Sequence, residues 1–356
     1  MKADDNKQWM IYGATGYTGE LIAREAVERG LSPVLAGRSE EKTSKLAAEL
    51  GLSYAVFSLD DVDAIAKYLE HQYVVLHCAG PFSATAQPML EACIQSKTHY
   101  LDITGEIAVY ELANSMAEQA KEAGVVLCPG VGFDVIPTDC VAAKLKEMLP
   151  DASHLVLGFD SSSSLSPGTA KTSVEGLPNG GKVRINGVIK PVALAYKTRK
   201  IDFGNGEKMA MTIPWGDVST AYVTTQIPNI EVFIPAHPKL IGKLKKLNYV
   251  RFLLGLGFIQ NFLKRQISKK IKGPSEEKRK SQFTYVWGEA KNAQGETKIL
   301  KIKTANGYAL TVTGSLAIVQ HVFDHSIVPG YTTPSLLAGS DLITQLPGSG
   351  PWVVEE

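Results

Sequence analysis

Along the first 150 residues the spacing of apolar positions switches repeatedly between two patterns. Short, almost continuous apolar runs occupy 9–13 (WMIYG), 33–37 (PVLAG), 54–59 (YAVFSL), 73–78 (YVVLHC), 99–103 (HYLDI) and 125–130 (VVLCPG). Each is long enough for a strand and apolar on both faces, as strands inside a parallel sheet must be. Helical periodicity fills the gaps. At 17–30, Leu21, Ile22, Ala26 and Val27 share one face and Gly30 ends the run. At 39–50, Ser39 is placed to cap a helix whose first turn carries Glu40 and Glu41, where negative charge suits the helix dipole. Further helices are predicted at 61–69, 85–96 and from the fifth strand to about Ala123. Strands and helices in strict alternation imply a doubly wound α/β fold with a parallel sheet and right-handed crossovers. The ligand crevice then lies at the carboxyl ends of the strands.

The pattern changes after residue 150. From about 152 to 235 and 282 to 315 apolar and polar residues alternate, broken by Gly, Pro and Asn. This predicts a second, mainly antiparallel α+β domain, with Asn186-Gly187 as a hairpin turn. It could pack across the crevice and pair with a second subunit. The chain is long enough for two domains. Its 44% hydrophobic and 21% charged residues are those of a globular protein. The net charge of +1 gives no bias toward nucleic acid. That average hides 239–280, which holds thirteen Lys or Arg against two Glu, around the apolar run 249–263. The run is too short to span a bilayer comfortably. Three readings stand: a lid over an apolar tunnel, a peripheral contact with an anionic membrane, or a buried helix with basic flanks. The four cysteines form no C-x-x-C pair, and no secretory leader is recognisable, so a reduced, cytoplasmic protein is expected.

The first strand runs into GATGYTG, residues 13–19. Gly13 allows a tight turn, Gly16 lets backbone approach a pyrophosphate, and Gly19 permits close helix–strand packing. Ala14, Thr15, Tyr17 and Thr18 complete the loop, and the helix N-terminus offers N–H groups to an anion. The alternative is a glycine-rich turn with no ligand. An NAD site often ends its second strand with an acid for the ribose hydroxyl. Here Arg38 stands there, followed by Ser39 and Lys42. A guanidinium can grip a 2′-phosphate, which favours NADP over NAD. The competing reading is an exposed Arg38–Glu41 pair.

Taken together these stretches resemble the saccharopine dehydrogenase-like oxidoreductases, in the branch that includes trans-acting enoyl reductases and the vertebrate saccharopine dehydrogenase-like proteins. The resemblance rests on YGATGYTGEL, AGRSEEK, VVLHCAGPF (74–82), HYLDITGE (99–106) and GVGFDVIPTD (130–139). It continues in SPGTAKTSVEGL (166–177), IPWGDVSTAYVTTQIPNIEVF (213–233) and GYTTPSLLAG (330–339). It implies an NAD(P)-binding Rossmann domain over 1–150, an inserted domain over 151–315, and a return through C-terminal helices over 316–356. It also implies hydride transfer.

Several further residues are candidates. Cys78, Ala79, Gly80, Pro81 and Phe82 follow the fourth strand and would line the cofactor, or form a plain turn with a core Phe. Asp102, Thr104 and Glu106 follow the fifth strand and would face the crevice, unless Glu106 is only a first-turn acid capped by Thr104. Asp134 is a polar lining candidate. Lys171 could bind an anionic substrate group or donate a proton, or stand as a surface lysine. The only Tyr-x-x-x-Lys, Tyr196 to Lys200, follows strand-like sequence, where the two side chains would be about 13 Å apart, so short-chain dehydrogenase chemistry is rejected. His321 and His325 lack a third ligand, and no metal is expected. The expected activity is an NADP-dependent reductase acting on an apolar, acyl- or enoyl-type substrate. A saccharopine-type C–N oxidoreductase and a non-catalytic NADP-binding scaffold are the alternatives. A homodimer is expected.

Overall fold

A computed structural model of the chain describes residues 7–162, 167–270, 277 and 281–355. It divides into two compact units, residues up to 136 with 310–338, and 137–309 with 339–356.

The first unit is built on six strands in the positions the apolar runs predict: β1 (Gln8–Tyr12), β2 (Val34–Gly37), β3 (Tyr54–Val56), β4 (Gln72–His77), β5 (His99–Asp102) and β6 (Val126–Cys128). With Gly330–Tyr331 from the returning chain they form one parallel sheet, ordered Gly330–Tyr331, β6, β5, β4, β1, β2, β3. Ile11, Leu35, Val74, Val75, Leu76 and Leu101 are fully buried, as strands covered on both faces require. Burying each such side chain is worth about 1.5–3 kcal/mol. The helices between strands are α1 (Tyr17–Glu28), α2 (Glu40–Leu50), α3 (Val62–Leu69), α4 (Phe82–Ser96), α5 (Ile107–Ser115) and α6 (Ala117–Ala123). Ser39 caps α2 by accepting from Lys42 N, and Gly51 closes it in the left-handed conformation. Asp61 caps α3 through two backbone N–H groups.

Two elements depart from the sequence pattern. The third strand stops at Val56 instead of 59, because it pairs only with the four-residue β2. Phe57 turns inward, and its carbonyl accepts from the Tyr12 hydroxyl at 3.0 Å. The helix expected after β5 is two, broken at Met116.

The second unit carries a nine-stranded sheet from β7 (His154–Ser161), β8 (Gly181–Ile185), β9 (Val188–Val192), β10 (Thr198–Asp202), β11 (Glu207–Thr212), β12 (Asn229–Pro235), β13 (Phe283–Lys291), β14 (Thr297–Ala305) and the terminal strand Val353–Glu355. Its pairings are antiparallel except β12 with β7. The sheet is therefore mixed, since a long crossover separates those two strands. Asn186 (φ 51°) and Gly187 (φ 78°) make the predicted hairpin turn between β8 and β9. The terminal strand pairs with β14, which places residues 339–356 in the second unit. Among the described residues no helix is long and apolar enough to cross a membrane.

Candidate functional site

Strand order locates the crevice. From β1 the chain runs to β2 and β3 on one side, then to β4, β5 and β6 on the other. At that reversal the carboxyl ends of β1 and β4 leave a gap for a ligand. The turn after β1 fills its floor. Gly13 sits at φ 83°, and a Cβ there would lie 2.7 Å from Ala79 N in the turn after β4. Gly19 packs even closer, since its Cβ would lie 2.3 Å from the Gly13 carbonyl oxygen. Both positions therefore demand glycine. Gly16 is exposed at the N-cap of α1, where no side chain caps the helix. The one first-turn acid, Glu20, is held by Arg24 at 2.8 Å. Ala14 is buried, and Thr15, Tyr17 and Thr18 are half-buried. The start of α1 is thus a helix N-terminus of the kind that suits an anion, on a turn too tight for a side chain at Gly13 or Gly19.

Arg38 leaves β2 on the same edge. It is exposed, and among the described residues no hydrogen bond or ion pair engages its guanidinium, so the competing pair with Glu41 does not form. Its charge reaches Tyr12, whose phenol burial nonetheless pushes up to about 12. Ser39 is occupied as the cap of α2, while Lys42 is exposed one turn later. Two cations, at least one without a partner, thus stand beside the glycine turn.

The turn after β4 is held differently. Gly80 and Pro81 are exposed, and Cys78, Ala79 and Phe82 are half-buried. A Cβ on Gly80 would make only ordinary contacts, to the Phe82 ring at 3.5 Å and its backbone nitrogen at 3.7 Å, so this glycine is not sterically required. Phe82 packs against the core and edge-on to His77 at 5.3 Å. Thr85 donates to the Ala79 carbonyl at 2.7 Å, which leaves its lone pairs for the His77 Nε2 proton at 3.0 Å. Burial drives His77 down to about 3, so the ring is neutral. Glu106 binds this turn as well. Its carboxylate accepts from Phe82 N at 3.0 Å and Ser83 N at 2.8 Å, capping α4 across space. Thr104 accepts from Glu106 N at 3.1 Å, while Glu106 itself occupies the N-cap of α5.

Asp102 is fully buried, not facing open crevice. It accepts from Tyr100 Oη at 2.6 Å, Thr104 N at 2.9 Å and Gly130 N at 2.8 Å. These bonds lower its pKa, but burial outweighs them and pushes it up to about 6. It fastens the turns after β5 and β6 together. Asp134, in the turn after β6, lies against Gly105, where a Cβ would come within 2.5 Å of Oδ2. Burial pushes its carboxyl up to about 7, above the neighbouring Asp102. Neither His77 nor the Glu106 cap was expected from sequence. The partner of His77 lies eight residues on, in the first turn of α4, and those of Glu106 lie 23 and 24 residues away on another strand–helix turn.

Lys171 falls in the helix Pro167–Gly176, and its side chain lies outside the described residues. Tyr196 precedes β10 and Lys200 lies within it, so no helix presents them together. His321 and His325 stack at 4.1 Å on the helix Gly307–Asp324 and its end. The described residues contain no group of three His, Cys, Asp or Glu suited to a metal. All four cysteines are free thiols.

Parts of this chain are similar to known proteins. Residues 9–128 match the saccharopine dehydrogenase NADP binding domain. A saccharopine dehydrogenase-like oxidoreductase of Bos taurus is 28% identical over 216 residues, 52% of this chain and 50% of that protein. A trans-acting enoyl reductase of Mycobacterium bovis is 32% identical over 138 residues, 36% of this chain and 33% of that protein. The chain spans about half the length of the first curated relatives it matches. A saccharopine dehydrogenase (L-Glu forming) of Saccharomyces cerevisiae superposes with a TM-score of 0.69, covering 98% of this chain and 100% of that one at 11% identity, a likeness of fold. The resemblance read from the motifs is borne out, and the first unit contains an NADP-binding domain of the saccharopine dehydrogenase kind.

Proposed function

We propose that a chain with such an NADP-binding domain is an NADP-dependent oxidoreductase for an apolar acyl- or enoyl-type substrate. The observation that carries the cofactor part is the exposed, unengaged Arg38 beside the uncapped start of α1. When bound, NADP supplies or accepts a hydride at the substrate carbon. The chain supplies the rest. The turn of residues 13–19 would hold the pyrophosphate on backbone N–H groups at the start of α1, since those of Gly13, Ala14 and Gly16 already donate to the Ala36 and Gly13 carbonyls, and Arg38, Ser39 and Lys42 would hold the 2′-phosphate. Cys78 to Phe82 wall the site, braced by Thr85 and Glu106. The balancing proton comes from a protein group or water. Asp134, whose carboxyl burial pushes up to about 7, has the proton affinity that suits this role. The name of the trans-acting enoyl reductase relative supports an enoyl substrate. Four free thiols suit work in a reducing cytoplasm.

The test is NADPH oxidation with a panel of enoyl, ketoacyl and imino substrates. Turnover is expected with an enoyl or ketoacyl chain, and Asp134→Asn should lower kcat while leaving NADPH affinity unchanged. Turnover of an amino dicarboxylate alone would favour C–N chemistry. Tight NADPH binding without turnover across the panel would favour the scaffold.

A further inference from the structure

The basic and apolar stretch singled out by sequence forms a helix Pro238–Leu247, a 3-10 turn Arg251–Gly255 and a helix Gly257–Lys270, all in the second unit. Its base is fixed to that unit. Ile241 is buried in a cluster with Ala195 and Met211. Asn248 accepts from Leu194 N at 2.8 Å and donates to the Leu194 carbonyl at 3.1 Å. Gln260 donates to the Val174 carbonyl at 3.1 Å.

Its outer side is unlike ordinary protein surface. Tyr249 is 84% exposed, Phe258 73%, Phe252 69% and Phe262 59%. Phe258 and Phe262, four apart, share one helix face. Scattered exposed apolar residues are normal, but several large aromatics in one short segment mark an interaction surface. The charges say what kind. From 238 to 270 there are nine Lys or Arg and no Asp or Glu. Lys243, Lys245 and Lys246 are exposed, and among the described residues no carboxylate pairs with them. Aromatic rings flanked only by cations fit a layer of phosphate headgroups over acyl chains. No described helix is long and apolar enough to cross a membrane, so this fit calls for a contact that lies on the surface.

We propose that residues 238–262 dock the protein on an anionic phospholipid bilayer. The aromatic side chains enter the boundary between headgroups and acyl chains, and the lysines face lipid phosphates. This goes beyond the oxidoreductase reading and does not depend on it.

The test is co-sedimentation of the full chain with phosphatidylcholine vesicles, with and without about one-third phosphatidylglycerol. Binding is expected only to the anionic vesicles. Reversing three charges, Lys243→Glu, Lys245→Glu and Lys246→Glu, should weaken it about a hundredfold. The triple Phe252→Ser, Phe258→Ser, Phe262→Ser should abolish it, with NADPH affinity and thermal midpoint unchanged. A Phe258→Trp variant keeps the apolar bulk, and the indole emission it adds to that of the parent chain should shift to the blue on vesicles and be quenched by brominated lipid. No binding by the parent chain, unchanged binding by the charge-reversed or serine variants, or an unshifted added emission in Phe258→Trp would overturn the proposal. So would sedimentation velocity showing that the aromatics instead hold a dimer, with vesicle binding unaffected in the serine variant.

Discussion

The two sides of the strand reversal in the first unit handle their polar groups in opposite ways. On the β1–β2 side, the start of α1 has no side-chain cap and Arg38 has no partner among the described residues. On the β4–β6 side, the acids are saturated. Asp102 accepts three hydrogen bonds and Glu106 caps a neighbouring helix with two. One side leaves a helix start uncapped and a cation unpaired among the described residues, while the other satisfies its acids internally. Polar residue type alone does not separate the two, for Arg38, Asp102 and Glu106 all follow or end strands of one sheet.

The largest effect is expected at Gly19→Val, whose Cβ would meet the Gly13 carbonyl at 2.3 Å. NADPH binding by calorimetry should disappear, and retained binding would show that the turn can open. Next is Asp102→Ala, which strands Tyr100 Oη and two backbone N–H groups. It should cost about 3 kcal/mol in denaturant unfolding, and a loss below about 1 kcal/mol would make Asp102 no frame residue.

Asp134 sharpens the picture through pH. Its pKa is about 7 when folded against 3.8 for an ordinary Asp. The proton is held more tightly in the folded state, so its stability contribution is fully present below about 4 and lost as pH rises through about 7. Asp134→Asn should therefore gain thermal midpoint over the parent chain between pH 5 and 8, worth about 2 kcal/mol. A pH-independent difference would show that Asp134 does not carry a raised pKa. The smallest effect is Glu106→Ala, an ordinary cap loss of about 1 kcal/mol in unfolding free energy. A collapse of turnover with intact stability would instead make Glu106 catalytic.

Legibility follows the range of the interactions. GATGYTG could be read because the demands on Gly13 and Gly19 arise within one turn, next to a strand and a helix whose periods are visible. Arg38 could be read because it sits at the end of its own strand. The roles of Glu106 and Asp102 could not, because their partners Phe82, Ser83 and Gly130 are 24, 23 and 28 residues away and touch only when strands pair. The mixed pairing of β7 with β12 was hidden for the same reason. The aromatic positions of 249–262 were visible, but whether they are buried was not, since an apolar run suits a core as well as a surface.

The most direct measurement is calorimetric affinity for NADP and NAD by the parent chain and by Arg38→Asp. The parent chain should prefer NADP. The substitution should weaken NADP by about tenfold to a hundredfold, the worth of one charge-assisted contact, and leave NAD nearly unchanged. Equal affinities for the two cofactors, before and after the change, would contradict the reading of Arg38 as the group left open for the 2′-phosphate.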